Sequence, residues 1–304
     1  MQKTEKIWFD GEWVSWDRAQ VHVLTHSLHY GLAVFEGIRC YRCADGRSAV
    51  FRLQEHVERL FGSAKIVKMK IPYPASQLES VVVETLRVNQ LREGYIRPIA
   101  FIGAGEMGLY AVNNPVQVAV AVWPWGSYLG DEGLQNGIRV KISSFIRCQA
   151  SEGLSRAKLT GSYVASIMAK LDALETGYQE AIMLSPQGNV SEASGENLFM
   201  VKEGILKTPP LISPLPGITR DAVIQFAKEM NIPVEEKDFR PEELLKADEA
   251  FLTGTAAEIT PIREIDGQKI GEGKPGSITQ ALQKKFFATV KGEEPRYTHW
   301  LTYL

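Results

Sequence analysis

Cysteine is scarce in this chain: Cys40, Cys43 and Cys148 are the only three in 304 residues. So sparse and odd a set argues against a disulfide framework and fits reduced thiols in a cytosolic enzyme. An excess of one charge is lacking too. The chain has 34 Lys and Arg against 36 Asp and Glu, and a pI near 6.3 gives no electrostatic ground for a nucleic-acid or membrane partner. No uncharged apolar run reaches the ~18 residues of a membrane helix. The start, MQKTEKIWFDGEW, enters an aromatic strand at once, without the apolar stretch of a leader. A cytoplasmic protein is expected. There is no internal repeat, low-complexity tract or long charge run.

What is present is an ordinary globular composition, 44% hydrophobic and 23% charged, in a chain long enough for about two domains. Two short β-branched and aromatic runs flank Asp10-Gly11, a hairpin signal. Helices are expected at 53–66, with Leu53, Val57, Leu60 and Ala64 on one face, and at 75–92, with Leu78, Val82 and Leu86. Strands follow in YIRPIAFIG and VQVAVAVWPW. The aromatic and glycine-rich segment 123–136 is the linker candidate, which divides the chain into domain 1–122 and domain 137–304. The second part opens on the alternating run IRVKISSFI. A helix at 162–176 follows, its apolar face Val164, Ile167, Met168, Leu171 and Leu174, stopped by Gly177. Strands at 180–185, 197–202 and 249–253 and a helix at 219–230 complete it.

Three motifs carry less than they promise. GAGEMG, 103–108, has the G-x-G-x-x-G spacing, but Asn-Asn-Pro and a β-branched alternation follow it where a dinucleotide site needs a helix. It reads as a glycine loop between strands. His22, His26 and His29 have a helical ligand spacing, yet VHVL alternates like a strand and no carboxylate or cysteine lies at a useful offset. The C-x-x-C of CYRC falls on a strand rather than at a helix start.

Lys158, in SRAKLTGSY, is by itself most simply a solvated loop lysine. Its company gives it another meaning. A desolvated lysine can attack carbonyls and form a Schiff base. Glu192, among small residues in NVSEASGENLF with Gly195 allowing close backbone approach, could keep a proton on a heteroaromatic nitrogen, as pyridoxal phosphate requires of an electron sink. LPGITR starts a helix at which Ile218 and Thr219 present backbone N–H groups to an anion. The small-residue loop of TGTAAEITP adds the Thr255 hydroxyl.

With HSLHYGLAVFEGIR, FRLQEHVERLFGSAK, YIRP, AKLTGSY, SEASGENLF, LPGITR and GTAAEITP in order, the chain resembles the branched-chain amino acid aminotransferases among fold-type IV pyridoxal phosphate enzymes. The resemblance spans about nine tenths of the chain. It implies a two-domain α/β (α+β) fold, with a smaller N-terminal α/β domain and a larger C-terminal pseudo-barrel. It also implies pyridoxal 5'-phosphate as cofactor. Lys158 would form the Schiff base and shuttle the proton, Tyr163 would bond the phenolic oxygen, and Glu192 would pair with the ring nitrogen. Arg59, Leu215, Gly217, Ile218, Thr219 and Thr255 would hold the phosphate, through charge-assisted bonds of roughly 1.5–3 kcal/mol each.

The same resemblance places Tyr30, Phe35, Met107, Leu109, Trp125 and Tyr128 around the aliphatic side chain of leucine, isoleucine or valine. Tyr95, Thr255, Ala256 and Ala257 would take the α-carboxylate. Arg97 would meet the γ-carboxylate when glutamate or 2-oxoglutarate enters. It implies small-molecule amino acids and 2-oxo acids as partners, and a homodimer or trimer of dimers with Tyr30 and Leu109 given across the interface. One departure is Ser162, where the family motif has Asn before the tyrosine, which puts one supporting hydrogen bond in doubt. A D-amino acid transaminase or aminodeoxychorismate lyase on the same fold shares the lysine and cofactor motifs; FEGIR with YIRP and GTAAEITP argues against both.

Overall fold

Asp10 and Gly11, both with positive φ (46° and 100°), turn the chain between β1 (Lys6–Phe9) and β2 (Glu12–Ser15), as a tight hairpin demands. The computed structural model to which this hairpin belongs describes residues 2–147, 152–212 and 214–304; Cys148 lies outside them. Two units make up the chain: Met1–Gly126 with Ala157–Ser162 and Thr289–Leu304, and Ser127–Arg156 with Tyr163–Ala288. Neither unit is a single stretch. The segment holding Lys158 folds with the first unit because its backbone pairs there.

The first unit is built on an antiparallel sheet with β3 (Ala33–Phe35), β4 (Ile38–Arg42), β5 (Ser48–Phe51), β6 (Gly94–Ile102) and β7 (Val116–Trp123). The C-terminal strand Leu301–Tyr303 pairs β5, followed across the sheet by β4, β6, β7, β1 and β2, while β3 also pairs β6. Helix α1 (His26–Tyr30) ends on Gly31 in the left-handed conformation. Helix α2 (Leu53–Ile66) buries Leu53, Val57, Leu60 and Ala64, the face its spacing requires.

Helix α3 (Ala75–Val88) buries Leu78, Val82 and Leu86 but stops short of residue 92. Asn89 is the reason. Its Nδ2 donates to the carbonyls of Thr85 and Lys6, and its Oδ1 accepts from the N–H groups of Glu5 and Lys6, so the side chain ties the helix end to β1. VHVL is not a strand. Thr25 N–H returns to His22 O in a turn, and Val21, Val23 and Leu24 are exposed, so the alternation buries no face.

The second unit has a mixed sheet. Its strands are β8 (Ile138–Ile142), β9 (Glu180–Leu184), β10 (Val190–Ala193), β11 (Asn197–Lys202), β12 (Ile205–Thr208), β13 (Val234–Glu236), β14 (Glu249–Gly254) and β15 (Glu258–Ile265). They lie in the order β10-β9-β8-β15-β14-β11-β12-β13. Val140, Ile182, Leu198, Met200, Leu252 and Ile262 form part of its core. Helices α4 (Asp131–Asn136), α5 (Glu152–Ser155), α6 (Tyr163–Glu175), α7 (Ile218–Glu229), α8 (Pro241–Leu244) and α9 (Ser277–Val290) accompany the sheet. Segment 123–136 is therefore not all linker, since it ends in α4.

Helix α6 corrects one expectation. Val164, Ile167, Met168, Leu171 and Leu174 are exposed, and the buried face is Ser166, Ala169 and Ala173, packed on Ala181 and Met183 of β9. Small residues let the helix backbone approach the sheet closely, so the stripe with less apolar area takes the inner face. No helix of the described residues is long and apolar enough to cross a membrane.

Candidate active site

In the first unit Lys158 is held by its backbone. Its N–H donates to Ser63 Oγ at 3.0 Å, its carbonyl accepts Phe35 N–H at 3.2 Å, and the next residue, Leu159, bridges to Val34. Thr160 Oγ1 and Gly161 N–H both donate to Gly31 O, at 2.7 and 3.0 Å. A Cβ at Gly161 would lie 3.0 Å from that carbonyl, so glycine lets the two chains close. The Lys158 Nζ stands 5.0 Å from the Phe35 ring centre, a half-buried amine against an aromatic face.

Arg59, on α2, sits beside a buried acid. Its Nε and Nη2 donate to Glu36 Oε1 and Oε2 at 2.7 and 2.9 Å, and His56 Nδ1 meets Oε2 at 2.7 Å. Burial alone would raise the Glu36 carboxyl, but the Arg59 charge and the bonds from Arg59 and His56 overcome it and hold the group far below the usual carboxylate range. His56 is held below its ordinary value, chiefly by burial against the opposing pull of Glu36. Since an ionised carboxylate can only accept, His56 Nδ1 is the donor of that bond.

Arg97 and Tyr95 alternate on β6, which puts them on one face. The Arg97 guanidinium lies 4.9 Å from the Phe35 ring centre, 5.4 Å from Tyr95 and 5.8 Å from Trp123. Its buried Nε has no hydrogen-bond partner. Trp125 stands edge-on to Tyr95 at 4.5 Å. Gly37 makes room for Tyr95, since a Cβ there would fall 1.8 Å from the phenol oxygen. Phe35, Tyr95, Arg97, Trp125 and Lys158 are therefore neighbours within this unit.

Met107, Leu109 and Tyr30 are exposed, Leu109 at 92%. The glycine run before Leu109 is a loop between β6 and β7 with no helix after it. His26 Nε2 bonds Gly108 O and His29 Nε2 bonds Val23 O, so these rings hold turns. No cluster of metal-ligating side chains occurs among the described residues. Cys40 and Cys43 are free and buried, and burial pushes the Cys40 thiol up to about 12.

In the second unit Glu192 lies on β10, where Oε1 pairs with Arg147 Nε at 2.7 Å and Oε2 accepts Leu215 N–H at 3.2 Å. Leu215 O in turn accepts Asn197 Nδ2 at 2.9 Å. Gly217 precedes α7 with extended backbone, and no side chain caps that helix start. The first N–H groups of α7, from Ile218 and Thr219, thus have no partner inside the helix. Close approach is needed at Gly217, where a Cβ would fall 1.9 Å from Asn197 Oδ1, and not at Gly195, where it would meet open space.

Thr255, Ala256 and Ala257 form the turn between β14 and β15, pinned by Thr260 Oγ1 donating to Ala257 O at 2.6 Å. Tyr163 opens α6, half-buried, and Tyr128 carries the Lys170 ammonium 5.2 Å above its ring. Glu36, His56, Ser63 and Arg147 were not singled out from the sequence. The signal for the first three was present, since His56, Arg59 and Ser63 share one face of α2 and FEG puts an acid in an apolar run.

Residues 33–265 match the family Amino-transferase class IV. The chain belongs to the class IV aminotransferases. It is 47% identical over 296 residues to the branched-chain-amino-acid aminotransferase of Pseudomonas aeruginosa, covering 97% of this chain and 96% of that one. The solved branched-chain amino acid aminotransferase of T.th. with pyridoxamine 5'-phosphate superimposes with a TM-score of 0.96 at 43% identity, over 100% of this chain and 99% of that one. The same source's enzyme complexed with N-(5'-phosphopyridoxyl)-L-glutamate gives 0.94 at 41% identity, over 100% and 99%.

The aminotransferase is thus of the branched-chain-amino-acid type, with the fold of the fold-type IV enzymes, and its family implies pyridoxal phosphate. The residues present fit that group. An amine, a carboxylate with both oxygens fixed and an uncapped helix start are the donor set it requires.

Proposed function

We propose that this aminotransferase moves the amino group of L-leucine, L-isoleucine or L-valine to 2-oxoglutarate in two half-reactions that share one carrier, pyridoxal 5'-phosphate. The carrier, when bound, supplies an electron sink for the Cα–H bond. Lys158 Nζ supplies the amine that holds the carrier and, once released, moves the proton from substrate Cα. Glu192 keeps a proton on the ring nitrogen, with Arg147 and Leu215 N–H fixing the direction of its carboxylate. Tyr163 bonds the phenolic oxygen. Arg59, Leu215, Gly217, Ile218, Thr219 and Thr255 hold the phosphate.

Arg97 carries the substrate reading. A guanidinium boxed by Phe35, Tyr95 and Trp123, with an orphaned Nε, can pair with a γ-carboxylate while an aliphatic side chain stays on the aromatic faces. The phosphopyridoxyl-glutamate complex of the T.th. relative supports glutamate as the second substrate. Tyr30, Phe35, Met107, Leu109, Trp125 and Tyr128 line the aliphatic site, and Tyr95, Thr255, Ala256 and Ala257 take the α-carboxylate. Exposure of Leu109, Tyr110 and the apolar face of α6 supports a homo-oligomer, to be read from light scattering of the purified protein.

The test follows each half-reaction separately by cofactor absorbance. Leucine, isoleucine and valine should convert the carrier and 2-oxoglutarate should restore it. Arg97→Leu should weaken 2-oxoglutarate by on the order of 100-fold and leucine far less; equal loss on both would refute the shared-site reading.

A further inference from the structure

Arg59 is a surface arginine by sequence and a built-in one by structure. The side chain opposite it, Glu36, is wholly buried, at 0% exposure. It lies in the link between β3 and β4, where its own N–H is fixed on Pro98 O at 2.9 Å. The carboxylate takes the Nε–Nη2 edge of the guanidinium in a two-bond fork, 2.7 and 2.9 Å long, and receives a further bond from buried His56 at 2.7 Å. A fork of this kind fixes the plane and the direction of the guanidinium, which a single contact does not.

We propose that Glu36 is a positioning residue: it aims Arg59 at the phosphate of the cofactor, and His56 holds Glu36 in place. The inference rests on the reading that Arg59 meets that phosphate. Stability alone is a weak reason for this pair, because a buried ion pair roughly matches a well-packed apolar pair of the same volume. Orientation is what an apolar replacement could not supply. The same face of α2 carries Ser63, which holds the Lys158 backbone at 3.0 Å. One helix face therefore fixes both the arginine and the lysine.

Charge and orientation predict opposite signs, which makes the proposal testable. If Glu36 only offset the Arg59 charge, its loss would leave more positive potential and tighten a phosphate. If it aims the guanidinium, its loss weakens binding. The experiment measures dissociation constants of pyridoxal phosphate and of unphosphorylated pyridoxal for the apoenzyme, by absorbance titration, in wild type, Glu36→Gln, Arg59→Ala and the double variant.

Glu36→Gln should weaken pyridoxal phosphate by about 10–100-fold, the range for removing a residue that orients a ligating one. It should leave pyridoxal unchanged and add nothing in the Arg59→Ala background. Unchanged or tighter pyridoxal phosphate, equal loss on pyridoxal, or additive losses in the double variant would overturn it. If Arg59→Ala itself keeps full affinity, the phosphate role of Arg59 fails first and the proposal with it. Should Glu36→Gln not fold, Glu36→Asp keeps the charge and shortens the reach. A smaller loss on pyridoxal phosphate alone supports the proposal, and none refutes it.

Discussion

Ser63 Oγ accepts the backbone N–H of Lys158 at 3.0 Å. The lysine is therefore placed, through its backbone, by a helix it does not belong to. Ser63 is buried and Lys158 half-buried, so Ser63→Ala removes a partly buried hydrogen bond and should cost about 1 kcal/mol of stability. The rate of proton movement from leucine should fall with it, while Ser63→Thr retains both. A urea titration and single-turnover rates check this, and an alanine variant equal to wild type in both would exclude the role.

Gly217, at the start of α7, and Gly195, in the turn between β10 and β11, should behave differently. Gly217→Ala puts a methyl 1.9 Å from Asn197 Oδ1, disturbs the Asn197–Leu215 bond, and should cost about 1–3 kcal/mol as an overpacked site along with cofactor affinity. Gly195→Ala enters open space and should cost little. Thermal unfolding of the two variants side by side decides it; similar losses would contradict the geometry.

Much of this was legible in the sequence, for physical reasons. Helix α2 followed from Leu53, Val57, Leu60 and Ala64 because only one face of it was apolar. Helix α6 did not, because it has two stripes and the smaller side chains won the inner face by allowing a closer approach. The end of α3 was hidden because Asn89 bonds β1, far away in sequence. Among the candidate site residues, Glu192 is a reactive type in a small-residue run, and Lys158 gained its meaning only from the other motifs it accompanies. Glu36 and Arg147 did not, because an acid or a base that serves another residue has no spacing of its own to reveal it.

Glu196 gives the second unit a pH dependence. Burial, then the nearby Glu180 charge, push its carboxyl up to about 8 from an ordinary value of 4.5. Between those values the unfolded chain has released the proton and the folded one has kept it, so stability falls as pH rises through that window and levels off above it. Glu196→Gln removes the ionisation. Its advantage over wild type should grow from about pH 5 to about pH 8, read from urea midpoints, whereas parallel profiles would show that Glu196 does not hold its proton.

The most direct measurement is borohydride reduction of the cofactor-loaded protein followed by peptide mass mapping. Reduction fixes the carrier to whichever amine holds it. The pyridoxyl group should be found on Lys158 alone, and Lys158→Ala should yield no labelled peptide and lose the visible absorption band. A label on another lysine in the wild-type protein, or a band that survives in Lys158→Ala, would contradict the account.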